Sequence, residues 1–268
     1  RGLGAHVFTR GQKAAVRETA KLADDIPDTM AWLDAESNLG REYWEALQYV
    51  SRWTLANHRA IHRLFLEKSS ASALSQIGNE HNFVWKRGTT YFHGKGATPA
   101  WNDSAGRPLL GLVPLNMAAP ILLVLGKDNR EHLSFAPHGA GRNLSRRATI
   151  KKYLGKKDQN NPEKIQKLID ESTRGLDIRW YRGRADLSES PLGYKSPDQV
   201  KSQIEEFQLA EVIAEIAPLG CVMAGNSPFR NEDDPGPEIL TPKQKRQIQH
   251  RSDRRKHRQR MRHDEWED

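Results

Sequence analysis

Residues 138–146 read HGAGRNLSR, a glycine-rich and basic stretch that separates two kinds of sequence pattern. Before it, residues 81–93 and 109–126 contain β-like apolar runs punctuated by glycine. After it, residues 162–173 and 196–209 carry apolar side chains at helical spacing. Because strand-like and helical segments do not alternate regularly along the chain, the pattern favours an α+β fold.

Two helical segments are expected near the start of the chain. Residues 12–25 have Ala, Val and Leu at helical spacing, and Pro27 follows them. Residues 36–68 have apolar side chains at three- and four-residue steps, without proline or glycine from Arg41 onward, which predicts one long helix or two. The RGLG of residues 1–4 indicates a turn. The apolar stripe of the long segment, which we expect to pack in the core, consists of Tyr43, Leu47, Val50, Trp53, Leu55, Ile61 and Leu64.

The composition limits the class of protein. The chain has 268 residues, of which 37% are hydrophobic and 28% charged, so it is polar for a globular protein but not disordered throughout. The single cysteine, Cys221, excludes an intrachain disulfide. The longest apolar run, residues 120–125, is far shorter than the about 20 residues of a membrane-spanning helix. No apolar segment typical of a signal peptide follows the N-terminus, so we expect a cytoplasmic protein that has no membrane partner.

The side chains of residues 138–146 suit phosphate chemistry. The small residues Gly139, Ala140 and Gly141 let backbone N–H groups approach an anion closely. Arg142, with Arg146 further along, adds guanidinium donors for phosphate oxygens. His138 can act there as a general acid or base, or as a nucleophile toward phosphorus, because neutral imidazole has a lone pair at pH 7. Taken alone, the stretch fits a glycine-rich turn with a capping arginine equally well.

Two further histidines lie in unusual surroundings. His93 begins HGKGAT, where Gly94 and Gly96 flank Lys95 and leave its ammonium group unobstructed toward a phosphate. His81, in GNEHNF, is a candidate metal ligand. A divalent ion needs several ligands, and the chain has no DxC, HxH or HExxH motif to complete the set. The residues of this chain therefore do not predict a metal site by themselves.

The ordered motifs of the chain resemble those of the RtcB family of RNA ligases. In chain order they are RGLG, HN, HGKGAT, HGAGRNLSR and SPLGYK, and the later APLGCVMAG fits more loosely. The resemblance covers residues 1–225, which we interpret as the C-terminal portion of a catalytic domain. It implies the fold of that family, an α+β arrangement of mixed helices and antiparallel-rich sheets around one deep, basic cleft.

The resemblance also implies an activity. Members of the family are GTP- and manganese-dependent ligases that join an RNA 3′-phosphate or 2′,3′-cyclic phosphate to a 5′-hydroxyl, in tRNA splicing or RNA repair. The guanylylated histidine of the family lies in HGAGR and so corresponds to His138. The expected cosubstrate is GTP, the metal is Mn²⁺, the partner is RNA with such ends, and an archease-type protein is a suggested activator.

The resemblance also implies roles for individual residues. His81 matches a metal ligand of the family, and Asn82 matches the residue that follows this ligand and lies beside the nucleotide. Lys95 matches the lysine of the KGAT motif. Tyr194 matches an aromatic residue that lies near guanine. The expected nucleotide-binding residues are His81, Asn82, Pro114, Asn116, Met117, His138, Gly139, Ala140, Gly141 and Tyr194. The expected phosphate- or RNA-binding residues are Arg1, Lys95, Arg142 and Arg146.

The chain departs from the family pattern in ways that bear on activity and selectivity. The remaining metal ligands of the family lie upstream of the matching segment, so we expect these residues alone to be inactive. Asn116 stands in place of a phosphate-binding serine. Ile121 replaces a serine that contacts guanine, and Ala224 replaces a purine-contacting lysine. These changes predict a weaker preference for guanine.

The end of the chain has a different composition. Residues 226–240 are rich in Pro, Gly and Asp and indicate a linker, and residues 241–268 contain ten Lys/Arg and five Asp/Glu. This tail has no apolar face, so we expect it to be disordered or partly helical, either merely solvated or binding RNA.

Two interpretations remain open for the whole chain. The first is an RNA ligase, and the second is a non-catalytic, RNA-binding or regulatory relative. A phosphohydrolase is less favoured, because the sequence shows no dedicated water-activating base.

Overall fold

The computed structural model describes residues 2–23, 25–155, 157–159 and 161–223. They form two compact units. Among the described residues, the first contains those up to Leu115 together with Ile121–Gly141 and Ser196–Ile216, and the second contains Asn116–Pro120, Arg142–Lys195 and residues 217–223. The predicted linker (226–240) and basic tail (241–268) lie outside the described residues.

Two helices, α1 (Gly2–Ala20) and α2 (Asn38–Ser69), open the first unit. The sequence predicted one long helix or two over residues 36–68, and the structure has one, α2. Ser37 caps its start by accepting a hydrogen bond from the Gly40 N–H. The predicted turn at RGLG is wrong, because the helix α1 already begins at Gly2.

The apolar stripe of α2 packs only along its first part. Gly4 of α1 faces Val50 and Gly11 faces Tyr43, so the start of α1 lies beside the middle of α2. At about 1.5 Å per residue, the 19 residues of α1 extend about 28 Å and the 32 residues of α2 about 48 Å. The prediction of core packing is therefore wrong for the residues that lie beyond α1. Those that are exposed are Trp53, Leu55, Ile61 and Leu64.

Three small antiparallel sheets complete the first unit. Their strands are β1 (Val84–Arg87) with β2 (Thr90–His93), β3 (Ala97–Pro99) with β6 (Phe135–Pro137), and β4 (Leu110–Pro114) with β5 (Ile121–Gly126) and β8 (Ala210–Ile216). The burial of β5 alternates along the strand, with Leu122 and Val124 in the core. The predicted helix at 196–209 is confirmed as α5 (Pro197–Glu206).

The second unit combines α3 (Arg146–Tyr153) and α4 (Pro162–Thr173) with the parallel strands β7 (Asp177–Trp180) and β9 (Gly220–Met223). Leu154, Ile169 and Leu187 form its buried cluster. Together the two units confirm the predicted α+β class with mainly antiparallel sheets. Within the described ranges, no helix is long and apolar enough to cross a membrane.

Candidate functional site

The strand pair β3–β6 positions His138. Ala97 pairs with Pro137, so the residues next to them, Gly96 and His138, lie opposite each other at the end of the ladder. The His138 backbone N–H donates to the Gly96 carbonyl oxygen at 3.1 Å. His138 is thereby held at the edge of a small sheet, and its side chain is half-buried.

Asn82 fixes the loop that holds His138. The Gly96 N–H donates to Asn82 Oδ1 at 2.6 Å, and the Asn82 N–H donates to the Ala97 carbonyl at 3.2 Å. Asn82 adopts φ 52°, a left-handed conformation that asparagine tolerates better than most residues. Asn82 and His138, two predicted site residues, are therefore both bonded to the backbone of Gly96.

The imidazole rings of His81 and His138 stack. Their centroids are 5.0 Å apart and the ring planes differ by 17°. Loss of hydration lowers the pKa of His81, and the nearby charges of His138 and His58 lower it further. His138 Nδ1 is buried and has no hydrogen-bond partner among the described residues, which leaves Nε2 as the nitrogen available to a ligand.

The segment before His81 is held by buried polar contacts that the sequence did not reveal. Asn79 donates from Nδ2 to Thr98 Oγ1 at 2.8 Å and to the Leu112 carbonyl at 3.3 Å. Thr98, which is only 1% exposed, donates its hydroxyl to the Glu80 carbonyl at 2.7 Å. These bonds attach His81 to β3 and β4, because an unpaired polar group at such buried positions would be costly.

The glycine-rich turn after His138 is closely packed. A Cβ at Gly139 would lie 2.8 Å from the Pro114 carbonyl oxygen, and Gly141 has φ +70°, so both positions favour glycine. The Ala140 N–H donates to the Pro114 carbonyl at 3.3 Å. Among the described residues, the amides of Gly139 and Gly141 have no hydrogen-bond acceptor, so two of the three predicted anion donors remain available.

In the second unit, Arg142 is extensively bonded. Its Nε donates to the Leu144 carbonyl at 3.0 Å, and its Nη2 donates to the Ser188 carbonyl at 2.5 Å. The guanidinium carbon lies 4.7 Å from the ring centroid of Tyr194. Arg142 therefore has structural contacts of its own, in addition to the phosphate-binding role that the sequence predicts for it.

Glu189 joins the other side chains of this cluster and was missed by sequence reasoning. It accepts from Arg146 Nε at 2.5 Å and from the Tyr194 hydroxyl at 3.3 Å, and its Oε2 lies 3.8 Å from Arg142 Nη1. The hydrogen bond and the charge of Glu189 raise the pKa of Arg146. Only its position shortly before SPLGYK could have suggested this carboxylate.

The other predicted residues are distributed over both units. In the first unit, Lys95 is exposed in the turn between β2 and β3, and Pro114 pairs with Ile121 at the end of β4. In the second unit, Asn116 Oδ1 accepts from the Ala118 N–H at 2.9 Å. Met117 is half-buried there. Arg1 and Ala224 lie outside the described residues.

The described residues do not provide a complete metal centre. Within the described part of the chain, no group of three or more His, Cys, Asp or Glu side chains could hold an ion. His81 alone, stacked on His138, would be a single ligand. The residues present therefore do not fit a manganese ion by themselves.

The fold and these contacts define an α+β protein with a stacked histidine pair beside glycine-rich loops. A family model described as tRNA-splicing ligase RtcB matches residues 1–224. The chain therefore belongs to the RtcB family, which confirms the resemblance seen in the motifs.

Several curated proteins are similar to this chain. The tRNA-splicing ligase RtcB of Thermococcus kodakarensis is 26% identical over 82% of this chain and 50% of its own length. The corresponding protein of Pyrobaculum aerophilum is 26% identical over 83% of this chain and 50% of its own length. The RNA-splicing ligase RtcB of Mycobacterium tuberculosis is 25% identical over 83% of this chain and 54% of its own length. The chain thus spans about half the length of these relatives.

Proposed function

We propose that this chain is the histidine-bearing part of an RNA ligase that acts in tRNA splicing or RNA repair. The observation that carries the proposal is the presentation of His138, which is held by Gly96, stacked on His81 and left with Nε2 available. The names of the similar proteins, tRNA- and RNA-splicing ligases, support the same class of reaction.

The first step of the proposed reaction is nucleotide transfer to His138. Nε2 attacks the α-phosphorus of GTP, an N–P bond forms, the bond to the β-phosphate oxygen breaks, and pyrophosphate leaves. The amides of Gly139 and Gly141 are suited to receive phosphate oxygens, since neutralising charge on the transferring group is the main requirement of such reactions. Loss of hydration lowers the pKa of His81, which favours the neutral form of its ring beside His138.

The second step passes GMP to the RNA. An oxygen of the RNA 3′-phosphate attacks the same phosphorus and releases His138. The 5′-hydroxyl of the other RNA end then attacks the activated 3′-phosphate, loses its proton to solvent and displaces GMP. Precise positioning of the ends supplies much of the rate in reactions of this kind.

Further residues are proposed to bind the nucleotide or the RNA. Arg146 is exposed, so its terminal nitrogens can reach an RNA phosphate while Nε remains on Glu189. Arg142 supports the ring of Tyr194, which we propose packs on the guanine base. In the first unit, Lys95 is exposed and is proposed to bind a phosphate.

Among the described residues, we propose only His81 as a ligand of the metal. Manganese dependence requires ligands beyond the described residues, because His81 alone does not make a site. We therefore propose that the chain by itself forms no histidine–GMP adduct. Whether an archease-type activator increases activity would be tested with the same assay.

A second candidate is a non-catalytic RNA-binding relative, favoured by the incomplete metal set among the described residues. To distinguish the two, the chain would be fused to the part of the Thermococcus kodakarensis relative that it does not cover. The fusion would be incubated with radiolabelled GTP and Mn²⁺. A covalent label on the fusion supports the ligase, whereas RNA binding without a label supports the alternative.

The histidine assignment has its own test in the same fusion. His138→Ala should abolish the label, and His62→Ala, which removes an exposed histidine of α2, should retain it. A label that persists in His138→Ala would reject His138 as the nucleophile. ATP as competitor would test the weaker guanine preference expected from Ile121.

A further inference from the structure

The outer part of α2 has a basic face. Arg52, Arg59 and Arg63 follow one another at intervals of seven and four residues, which places them on the same side of the helix. All three are exposed. No Asp or Glu occurs between Glu45 and Glu67, so no carboxylate of the helix itself lies among these arginines.

The carboxylates near these arginines neutralise little of their charge. Arg63 Nη1 lies 3.8 Å from Glu67 Oε1, with both side chains largely exposed, and such pairs are weak in water. Among the residues described, Arg52 and Arg59 have no carboxylate partner. The face therefore retains the capacity to bind an anion.

Aromatic side chains border the arginines. Tyr49 is 56% exposed and Trp53 is 45% exposed, although burial of such rings is normally favourable. They lie four residues apart and so are neighbours on the helix, and Tyr49 is also three residues from Arg52. Exposed rings beside cations are the arrangement on which unpaired bases stack while their phosphates meet positive charge.

The helix is connected to the histidine pair. Ser51 of α2 donates its hydroxyl to Glu80 Oε1 at 2.7 Å, and Glu80 is the residue before His81. This bond holds the middle of α2, where Arg52 lies, close to the segment that carries His81.

We propose that the face of α2 formed by Tyr49, Arg52, Trp53, Arg59 and Arg63 binds single-stranded RNA and directs it toward the histidine pair. This inference rests on the proposed function, because it names a binding surface for the RNA of that reaction. From Arg52 to Arg63 the helix rises about 16 Å, long enough to contact several nucleotides.

Charge favours RNA over a protein as the occupant. The centre of a protein–protein interface is depleted of charged residues, whereas this face has three arginines along its middle. Exposed aromatic rings favour a single strand over a duplex, because bases in a duplex already stack on one another.

The first test compares two triple variants of the 268-residue chain. One carries Arg52→Gln, Arg59→Gln and Arg63→Gln. The control carries Arg10→Gln, Lys13→Gln and Arg17→Gln, which removes three exposed cations from α1. Fluorescence anisotropy with a labelled single-stranded RNA would be measured over a series of salt concentrations, without GTP.

Counterion release predicts the result. Each lost phosphate contact should reduce the log–log salt slope by about 0.7, so the α2 variant should lose about 2 units of slope and bind about tenfold more weakly at low salt. The α1 control should retain most of the slope of the unmodified chain. Equal losses in both variants, or no loss in the α2 variant, would overturn the proposal.

The second test separates stacking from charge. Trp53→Ala and Leu64→Ala remove exposed apolar side chains of similar exposure from the same helix. Only Trp53→Ala should weaken RNA binding, by about fivefold or more. Light scattering would follow the mass of each variant; dissociation of a dimer with RNA affinity unchanged would show that a second copy occupies this face and would overturn the proposal.

The outcome of these binding tests does not depend on the proposed ligase reaction. RNA binding is measured without GTP, so it does not depend on the nucleophile His138. If the fusion is guanylylated but its RNA affinity is unchanged by the α2 substitutions, only the proposed binding surface is overturned. If the α2 substitutions weaken RNA binding but the fusion is not labelled, only the proposed ligase reaction is overturned.

Discussion

His138 and Arg142 belong to the same motif, HGAGR, but their surroundings differ. In the first unit, His138 is held through its backbone, and its ring touches another imidazole while Nδ1 has no partner among the described residues. In the second unit, Arg142 is held through its side chain by two carbonyls and the Tyr194 ring. The fold thus positions His138 without using the nitrogens of its ring. It positions Arg142 through the guanidinium group itself.

This difference follows from what each group must do. A nucleophile needs an accessible lone pair, so backbone bonds are the way to position it without consuming that lone pair. An arginine has five N–H donors and can support neighbouring segments while some donors remain for a ligand. A glycine-rich motif therefore does not by itself tell a reactive side chain from a supporting one.

The largest effect on stability is expected from removing the charge of Glu189. Glu189→Gln would leave the 20% exposed Arg142 side chain without its carboxylate and would weaken the bonds from Arg146 and Tyr194. We expect a loss of about 2–4 kcal/mol in the free energy of unfolding, because a largely buried charge would lose its partner. Urea denaturation would measure it.

An exposed ion pair in the same unit provides the control. Asp177→Asn removes a carboxylate that contacts Arg179 at 2.8 Å, but both side chains are more than half exposed. It should cost less than about 1 kcal/mol. Equal losses in both variants would show that the Glu189 cluster is no more than a surface network.

A smaller effect is expected at Asn82 in the histidine region. Asn82→Ala removes the acceptor of the Gly96 N–H and places alanine at φ 52°, so we expect a loss of about 2 kcal/mol. It should also reduce guanylylation of the fusion, since the loop that holds His138 would loosen.

Asn82→Gly separates these two contributions. Glycine adopts the left-handed conformation without strain, so only the hydrogen bond is lost, and the cost should fall to about 1 kcal/mol. If alanine and glycine destabilise the chain equally, the backbone conformation contributes nothing and the bond to Gly96 accounts for the whole effect.

Local signals predicted much of the fold. The helix α4 has the predicted bounds because Asn161 caps it and Pro162 occupies its first position. The strands at 84–93 and 110–126 followed from apolar runs punctuated by glycine. The exposed part of α2 was not predictable, since helical periodicity shows which side chains share a face but not which of them meet a packing partner.

Long-range contacts limited what the sequence could say about the site. Its motifs identified His81, Asn82 and His138, which the structure brings together through the β3–β6 pairing. Glu189 escaped prediction, because its partner Arg146 is 43 residues away and neither periodicity nor a local motif links the two. The bonds of Asn79 to Thr98 and Leu112 were hidden for the same reason.

The smallest effect is expected at Tyr194 and concerns which part of the side chain matters. Tyr194→Phe removes only the 3.3 Å hydrogen bond to Glu189 and keeps the ring beside Arg142, so it should cost about 0.5–1 kcal/mol. Because the proposed packing on guanine uses the ring, the fusion should retain guanylylation in Tyr194→Phe and lose GTP affinity in Tyr194→Ala. Unfolding curves and labelling at increasing GTP would measure both. If Phe is as harmful as Ala, the hydroxyl contact to Glu189 is what this position contributes.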